Sequence, residues 1–213
     1  MTTATGLRER KKAQTRQDIA QAAMELFSER GFDAVTVAEV ADAAGVSEKT
    51  VFNYFPAKED LVFPDGERRF EAVLDAIRNR PPGASVVEPF RAATHEFLDQ
   101  VASGSVDEIV GRPRLVMGSP ALRDRLFIWW EQEAELLAPV VAEAAGDRGG
   151  RLVAAVVART LAWTHRTTFR AAFTRLLAGE DQKKVARDLR KQADEAYDLL
   201  ESGLRDYGRA PAS

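Results

Sequence analysis

The sequence predicts an all-α protein with about nine helices, and three observations support this prediction. Apolar residues recur at intervals of three and four, as along one face of a helix, and no segment alternates apolar and polar residues over the length of a strand. Serine or threonine followed three residues later by glutamate, the capping-box pattern, occurs at Thr36, Ser85 and Ser105. The nine prolines leave residues 1–55 and 140–210 uninterrupted, which allows long helices there.

The first predicted helix carries the apolar stripe IAQAAMELF, which runs from Ile19 to Phe27. It ends at Gly31, a residue type that is common just after a helix. Residues 1–10 are predicted to form a flexible arm that precedes it.

Two short helices are predicted next, within the segment TVAEVADAAGVSEKTVFNYF. The capping box at Thr36 begins the first, which ends at Gly45, and Ser47 begins the second. This second helix runs over residues 48–54 and is stopped by Pro56. Two capped helices joined by a glycine-containing turn form a helix-turn-helix.

The second of these helices carries polar groups that can bind DNA when a helix enters the major groove. These groups can hydrogen-bond base edges or phosphates, and they are Glu48, Lys49, Thr50, Asn53 and Tyr54. Two short helices without a role in DNA binding are the alternative, although they would not need this combination of side chains.

The N-terminal segment resembles the DNA-binding domain of the tetracycline-repressor (TetR/AcrR) family of bacterial regulators. The resemblance covers residues 14–62 and is carried by the segments IAQAAMELF, ERGF, TVAEVA, AGVS, TVFNYF and KEDL. It implies a homodimer that binds a near-palindromic operator in double-stranded DNA and is released by a small ligand held in the C-terminal domain. It does not imply which genes are regulated, and an activator remains an alternative to a repressor.

The resemblance also implies which residues contact DNA. Positions matching Thr36, Thr50, Tyr54 and Lys58 commonly do so in the family, the last two on phosphates, and Phe52 stands where many members carry tyrosine. Lys58 is predicted in the first turn of a helix, where free N–H groups attract phosphate. Helix capping alone would also explain the threonine at 36 and the serine at 47. The predicted DNA-binding residues are Thr36, Ser47, Lys49, Thr50, Asn53, Tyr54 and Lys58.

A basic cluster precedes the first apolar stripe and is opposed only by Glu9. It can reach the DNA backbone or the minor groove, or remain a solvated tail, and the sequence leaves both alternatives open. Its members are Arg8, Arg10, Lys11, Lys12 and Arg16.

Three long helices are predicted in the C-terminal half, over residues 119–145, 151–178 and 182–206, and Asp181 can cap the last. The last helix is apolar along one face, and the helix before it carries small residues at helical spacing. This seam can pack inside the monomer or pair with its copy in a four-helix bundle. We expect a homodimer through residues 151–206.

The domain organisation follows from these elements. Residues 1–58 are predicted as the helix-turn-helix domain, residues 59–206 as a helical ligand-binding and dimerisation domain, and residues 207–213 as a disordered tail.

Composition excludes several other classes of protein. The 213 residues contain no cysteine and two histidines, which argues against an enzyme, a cofactor or a metal site. No apolar run is long enough for a membrane span or a secretory signal, so a cytoplasmic protein is expected.

The effector site is predicted among aromatic and basic residues of the C-terminal half. Arg159, Arg166 and Arg170 fall within about 40° on a helical wheel, beside a tryptophan. They suit an anionic amphiphile, or they pair with Glu131, Glu133 or Glu135 or face solvent. Residues 118–145 resemble the C-terminal domain of the mycofactocin-regulator type, which implies an acyl-CoA-like ligand. The predicted ligand-binding residues are His95, Phe127, Trp130, Trp163, Arg166, Phe169 and Phe173.

Overall fold

The computed structural model describes residues 3–64, 66–146 and 150–203. Within these residues the chain forms nine α-helices and one 3₁₀ helix and has no strand, which confirms the all-α prediction. The tail predicted for residues 207–213 lies outside the described residues, as do residues 204–206 of the last predicted helix. The helices are α1 (Thr3–Arg30), α2 (Val37–Ala43), α3 (Glu48–Tyr54), the 3₁₀ helix (Lys58–Val62), α4 (Gly66–Arg78), α5 (Glu88–Ser103), α6 (Val106–Gly118), α7 (Pro120–Ala145), α8 (Arg151–Leu177) and α9 (Gln182–Gly203).

The first helix begins earlier than the sequence predicts. Residues 3–10, expected as part of a flexible arm, belong to α1. The run RERKKAQ, which begins at Arg8, consists mainly of strong helix formers and contains neither glycine nor proline, so it favours helix at the end of this segment.

Two compact units divide the chain. The first comprises the described residues of Met1–Glu67 together with Gly111–Leu126, and α1 packs there on α2 and on the 3₁₀ helix. Its buried core includes Phe27, Val51 and Leu61. Since Leu61 lies in this core, the first unit extends beyond the domain boundary that the sequence places after residue 58.

The second unit comprises Arg68–Val110 and the described residues of Phe127–Ser213. In it α5 packs against α8 and α9. One core cluster is centred on Leu137, Leu161 and Tyr197, and a second on Leu98 and Leu176. No helix in the described ranges is long and apolar enough to cross a membrane.

The helix starts test the predicted capping motifs. At Thr36 both halves of the capping box form, with Glu39 N donating to Thr36 Oγ1 at 3.3 Å and Thr36 N to Glu39 Oε2 at 2.7 Å. These bonds and the nearby Arg30 lower the pKa of Glu39 to about 2. Asp181 caps α9 as predicted, because its Oδ1 accepts from Lys184 N at 2.8 Å.

The capping box predicted at Ser85 is wrong. Helix α5 begins at Glu88, with Val87 at the capping position and no side-chain cap. Ser85 is buried, and its Oγ accepts from Val87 N at 3.1 Å, two residues along the chain. The serine therefore stabilises the turn that precedes the helix rather than the helix itself.

Candidate nucleic-acid interface and ligand site

The turn between α2 and α3 holds the two helices in a fixed arrangement. Gly45 has a φ of 66°, a left-handed conformation that suits glycine. Val46 N donates to Ala41 O at 2.9 Å across the turn, and the buried side chains of Val40 and Val51 pack in the same core. The helix-turn-helix predicted from the sequence is therefore present, and its apolar side is used for packing.

Three of the predicted DNA-binding residues make contacts at helix starts. Ser47 Oγ accepts from Thr50 N at 3.1 Å and lies 2.8 Å from Thr50 Oγ1. Thr36 Oγ1 donates to Glu39 Oε2 at 2.8 Å. The capping role that the sequence left as an alternative for Thr36 and Ser47 is therefore observed, and their contact with DNA stays a prediction.

The outer face of α3 carries the remaining candidates of that helix. Lys49 and Asn53 are exposed and lie one helical turn apart, and Tyr54 is half-buried. Phe52 lies on the same face, with 47% of its surface exposed. This face can thus offer a cation, an amide and an aromatic ring to a partner.

Arg16 connects α1 with the end of α3, a role that the sequence prediction missed. Its Nη1 donates to Tyr54 O at 2.5 Å and its Nε donates to Pro64 O at 3.2 Å. Its guanidinium also lies 4.3 Å from the centre of the Phe55 ring. The signal was available, because residue 16 is in helical register with the buried Ile19.

Lys58 lies in a different setting from the one predicted. It begins a 3₁₀ helix of five residues rather than an α-helix. Its Nζ donates to the backbone oxygen of Phe32 at 2.6 Å and lies 4.2 Å from the centre of the Phe32 ring. Burial lowers the pKa of Lys58, against the opposing effect of Asp33 and Glu59. One of the three ammonium donors is thus used inside the protein, and the phosphate contact stays a prediction.

Three of the predicted ligand-binding residues lie together between α7 and α8. The rings of Trp130 and Trp163 meet edge to face, with centroids 5.9 Å apart. The guanidinium of Arg166 lies 5.1 Å from the first ring and 6.0 Å from the second. Its Nη2 donates to Glu133 Oε2 at 2.8 Å and to Trp130 O at 3.0 Å.

The ion pair at this cluster is buried, with 7% of the Arg166 side chain and 13% of the Glu133 side chain exposed. Burial raises the pKa of Glu133 to about 7, although the hydrogen bond from Arg166 acts in the opposite direction. Arg159 likewise pairs with Glu131 at 2.6 Å, whereas Arg170 is exposed. The sequence left glutamate pairing and solvent exposure open for these arginines, and both are observed.

The other four predicted ligand-binding residues lie in settings different from that of this cluster. Phe169 stacks on Phe97 with centroids 3.6 Å apart, and Phe173 meets Phe97 edge to face at 5.6 Å. His95 Nε2 lies 2.8 Å from Asp194 Oδ1, and Phe127 is 55% exposed. The phenylalanines at 169 and 173 therefore pack in the core and the histidine at 95 is hydrogen-bonded to Asp194, while ligand binding by these residues stays a prediction.

A series of buried side-chain hydrogen bonds, which the sequence did not reveal, links α5, α8 and α9. Thr94 Oγ1 lies 2.6 Å from His165 Nδ1 and 2.8 Å from the Tyr197 hydroxyl. Burial and the neighbouring Arg166 lower the pKa of His165 to about 4, and burial raises the pKa of Tyr197 to about 12. The three side chains joined by these hydrogen bonds are therefore uncharged near neutral pH. Among the described residues no group of three acidic or histidine side chains could hold a metal ion.

A groove of about 550 Å³ lies along α8 and α9. Trp163, Thr164, Thr167 and Ala196 are among the residues that line it. Trp163 is 40% exposed, so one of the largest side chains of the protein is only partly covered. This groove lies within residues 151–206, the segment predicted to form the dimer.

Known families match both halves of the chain. The model for bacterial regulatory proteins of the tetR family matches residues 19–63, and that for the MftR C-terminal domain matches residues 84–205. The chain is 30% identical over 146 residues to the transcriptional regulator TcmR of Streptomyces glaucescens, a match that covers 66% of this chain and 65% of TcmR. It is 25% identical over 195 residues to the regulator MftR of Mycobacterium tuberculosis, covering 92% of this chain and 93% of MftR.

Solved structures show the same fold. One is the transcriptional regulator FadR of Bacillus subtilis in complex with stearoyl-CoA, at 20% identity and a TM-score of 0.51, covering 88% of this chain and 98% of FadR. These relatives are transcriptional regulators rather than enzymes. The MftR-type match alone spans more than half of the sequence. The chain therefore belongs to the tetR family of bacterial transcriptional regulators, and its C-terminal domain is of the MftR type.

Proposed function

We propose that this protein is a cytoplasmic homodimeric repressor that binds a near-palindromic operator and is released by a small hydrophobic or amphipathic effector. The observation that carries the proposal is the outer face of α3, where Lys49 and Asn53 are exposed on a helix whose other side is packed in the core. Family membership supports DNA binding, and the operator, the dimer and the effector are the parts to be tested.

The DNA contacts divide into two kinds. Lys49, Thr50 and Asn53 are proposed to read base edges in the major groove, whereas Tyr54 and Lys58 bind phosphates and set the orientation. Thr36 and Ser47, at the starts of α2 and α3, complete the proposed interface. Because the net charge is −3, binding depends on a few placed cations and not on a basic surface.

The proposed dimer buries the groove along α8 and α9 against its copy. Two threonine hydroxyls on this side of α8 are satisfied within the helix, since Thr160 Oγ1 donates to Val156 O at 2.8 Å and Thr164 Oγ1 to Thr160 O at 2.9 Å. Their outer surface is therefore largely methyl groups, which can be buried without leaving a donor unpaired. The partly exposed Trp163 adds apolar surface that is suited to the centre of an interface.

The effector is proposed to bind in the C-terminal unit at the cluster of Trp130, Trp163 and Arg166. An anionic head group would replace Glu133 as the partner of the arginine, and the raised pKa of that glutamate lowers the cost of the exchange because the displaced carboxyl can take up a proton. An acyl-CoA-like molecule fits this chemistry, and it is the class of ligand held by FadR in its complex with stearoyl-CoA. Release then requires that the effector bind better to a dimer whose α3 helices no longer match successive major grooves.

The test begins with operator selection from a random duplex library, followed by mobility shift at fixed salt with and without stearoyl-CoA. We expect selection of a near-palindrome, a dimer-sized complex, and release by stearoyl-CoA but not by free CoA. Transcription from a promoter that carries the selected operator gives the sign of regulation. Failure to select any sequence would contradict operator binding. Selection without release would remove the acyl-CoA-like effector and leave a neutral apolar ligand.

A further inference from the structure

Phe52 is an aromatic side chain on the outer face of α3, and the protein leaves about half of its surface uncovered. It is 47% exposed, whereas Phe55, one turn further along, is 1% exposed and belongs to the core. The fold therefore places an apolar ring at the surface of the helix that carries the proposed base-reading residues.

The neighbours of Phe52 show which side of the helix it occupies. Glu48 lies four residues before it and Lys49 three residues before it, so all three share one face. Helical side chains lean toward the N-terminus of their helix, which brings the ring over the turn that contains Lys49. Residues near the N-terminus of a recognition helix are the ones that reach base edges.

We propose that Phe52 contacts the 5-methyl group of a thymine in the major groove and thereby selects thymine at one position of each operator half-site. Thymine is the base that presents an apolar group in that groove, and phenylalanine is one of the side chains that contact it. A phenylalanine has no hydroxyl with which to bind phosphate, so the ring at this position serves base recognition. The inference rests on the proposed function, because α3 must lie in the groove.

The experiment removes the methyl group and nothing else. In the operator selected by the wild-type protein, each thymine of the half-site is replaced in turn by deoxyuridine, which keeps base pairing intact. Burial of one methyl group changes an affinity by roughly fourfold, so replacement at both symmetric positions should weaken binding by about fifteenfold. We expect this loss at a single thymine position of the half-site, under α3.

Variants assign the effect to the ring. Phe52→Ala should bind the thymine and deoxyuridine operators equally, and Phe52→Leu should keep part of the difference because it keeps an apolar contact. Leu136→Ala is the control, because it truncates an exposed apolar side chain of the second unit, and it should keep the full sensitivity to the methyl group. Circular dichroism checks that each variant is folded; should Phe52→Ala fail to fold, the Phe52→Leu comparison decides.

The outcomes separate this inference from the proposed function. If the wild-type protein selects an operator but no thymine in it is sensitive to loss of the methyl group, the inference is overturned. The same conclusion follows if the sensitivity persists unchanged in the Phe52 variants. A protein that selects no operator at all would instead contradict the proposed function.

Discussion

The dimer proposed through α8 and α9 is best tested with Ala196→Glu. Ala196 lines the groove and is half-buried in the monomer, so the new side chain can point outward without entering the core. Leu200, on the same helix, is a poorer choice because it packs against the core cluster that contains Tyr197, and its replacement would mix folding with association.

The size of the expected effect follows from the surroundings of the groove. The residues one turn away from position 196 are Gln192, Ala193, Leu199 and Leu200, so the helix offers no cation to a glutamate there. Arg159, which also lines the groove, is already paired with Glu131 at 2.6 Å. An unpaired polar group costs about 2 kcal/mol or more on burial, and a charge costs more. Two copies per dimer give about 4 kcal/mol, or roughly a thousandfold weaker association.

Sedimentation velocity over a range of protein concentrations measures this change. Wild type should sediment as a dimer at micromolar concentration and Ala196→Glu as a folded monomer. Ala92→Glu on α5 is the matched control, because it makes the same replacement at an exposed alanine outside the groove and should leave the dimer unchanged. An undiminished dimer in Ala196→Glu would refute the placement of the interface, and equal dissociation in both variants would point to a general effect of charge.

Three further predictions concern single side chains. Lys58→Met keeps the apolar stem, and we expect it to weaken all operators alike and to reduce the salt slope of binding by about one unit per half-site, as measured by titration at several salt concentrations. Arg16→Ala loses the bonds to Tyr54 O and Pro64 O and should reduce both thermal stability and operator affinity, whereas Lys12→Ala, exposed on the same helix, should reduce affinity at most. Burial raises the pKa of Glu133 from 4.5, its ordinary value, to about 7 in the folded protein. The folded protein therefore keeps this proton to a higher pH than the unfolded chain, and the free energy of unfolding should fall by about 3 kcal/mol as pH rises from about 4.5 to about 7. Urea denaturation at a series of pH values measures this change, and the fall in the free energy of unfolding between these pH values should be absent from Glu133→Gln.

The parts of the fold that local chemistry decides could be predicted from the sequence. The capping box at Thr36 forms because threonine and glutamate three residues apart satisfy each other's backbone groups without help from the rest of the chain. The same pattern at Ser85 fails because the serine is buried and its hydroxyl is used in a turn before α5. A capping pattern thus predicts a helix start only where the serine or threonine stays at the surface.

The predicted ligand site shows what sequence spacing cannot decide. A helical wheel places Arg159, Arg166 and Arg170 on one side of α8. The glutamates that pair with the first two come from α7, and nothing in the spacing of either helix fixes how the two helices align. The aromatic candidates show the same limit, since Phe169 and Phe173 pack on Phe97 of α5, a contact that their spacing along α8 does not reveal.

The cations of the first unit differ in how they can contribute to DNA binding. The face of α1 on which each lies explains the difference. Arg16 is in register with buried residues of α1, and its guanidinium is committed to two backbone carbonyls and the Phe55 ring. Lys12 lies one turn earlier, where α1 has no core beside it, and is exposed. A guanidinium held by carbonyls fixes the position of α3, and this geometric contribution to DNA binding does not depend on salt concentration. An exposed ammonium contributes through its charge, and that contribution weakens as the salt concentration rises. The salt dependence of operator binding therefore separates the two roles: loss of Arg16 should weaken binding with an unchanged slope, and loss of an exposed cation that contacts phosphate should lower the slope itself.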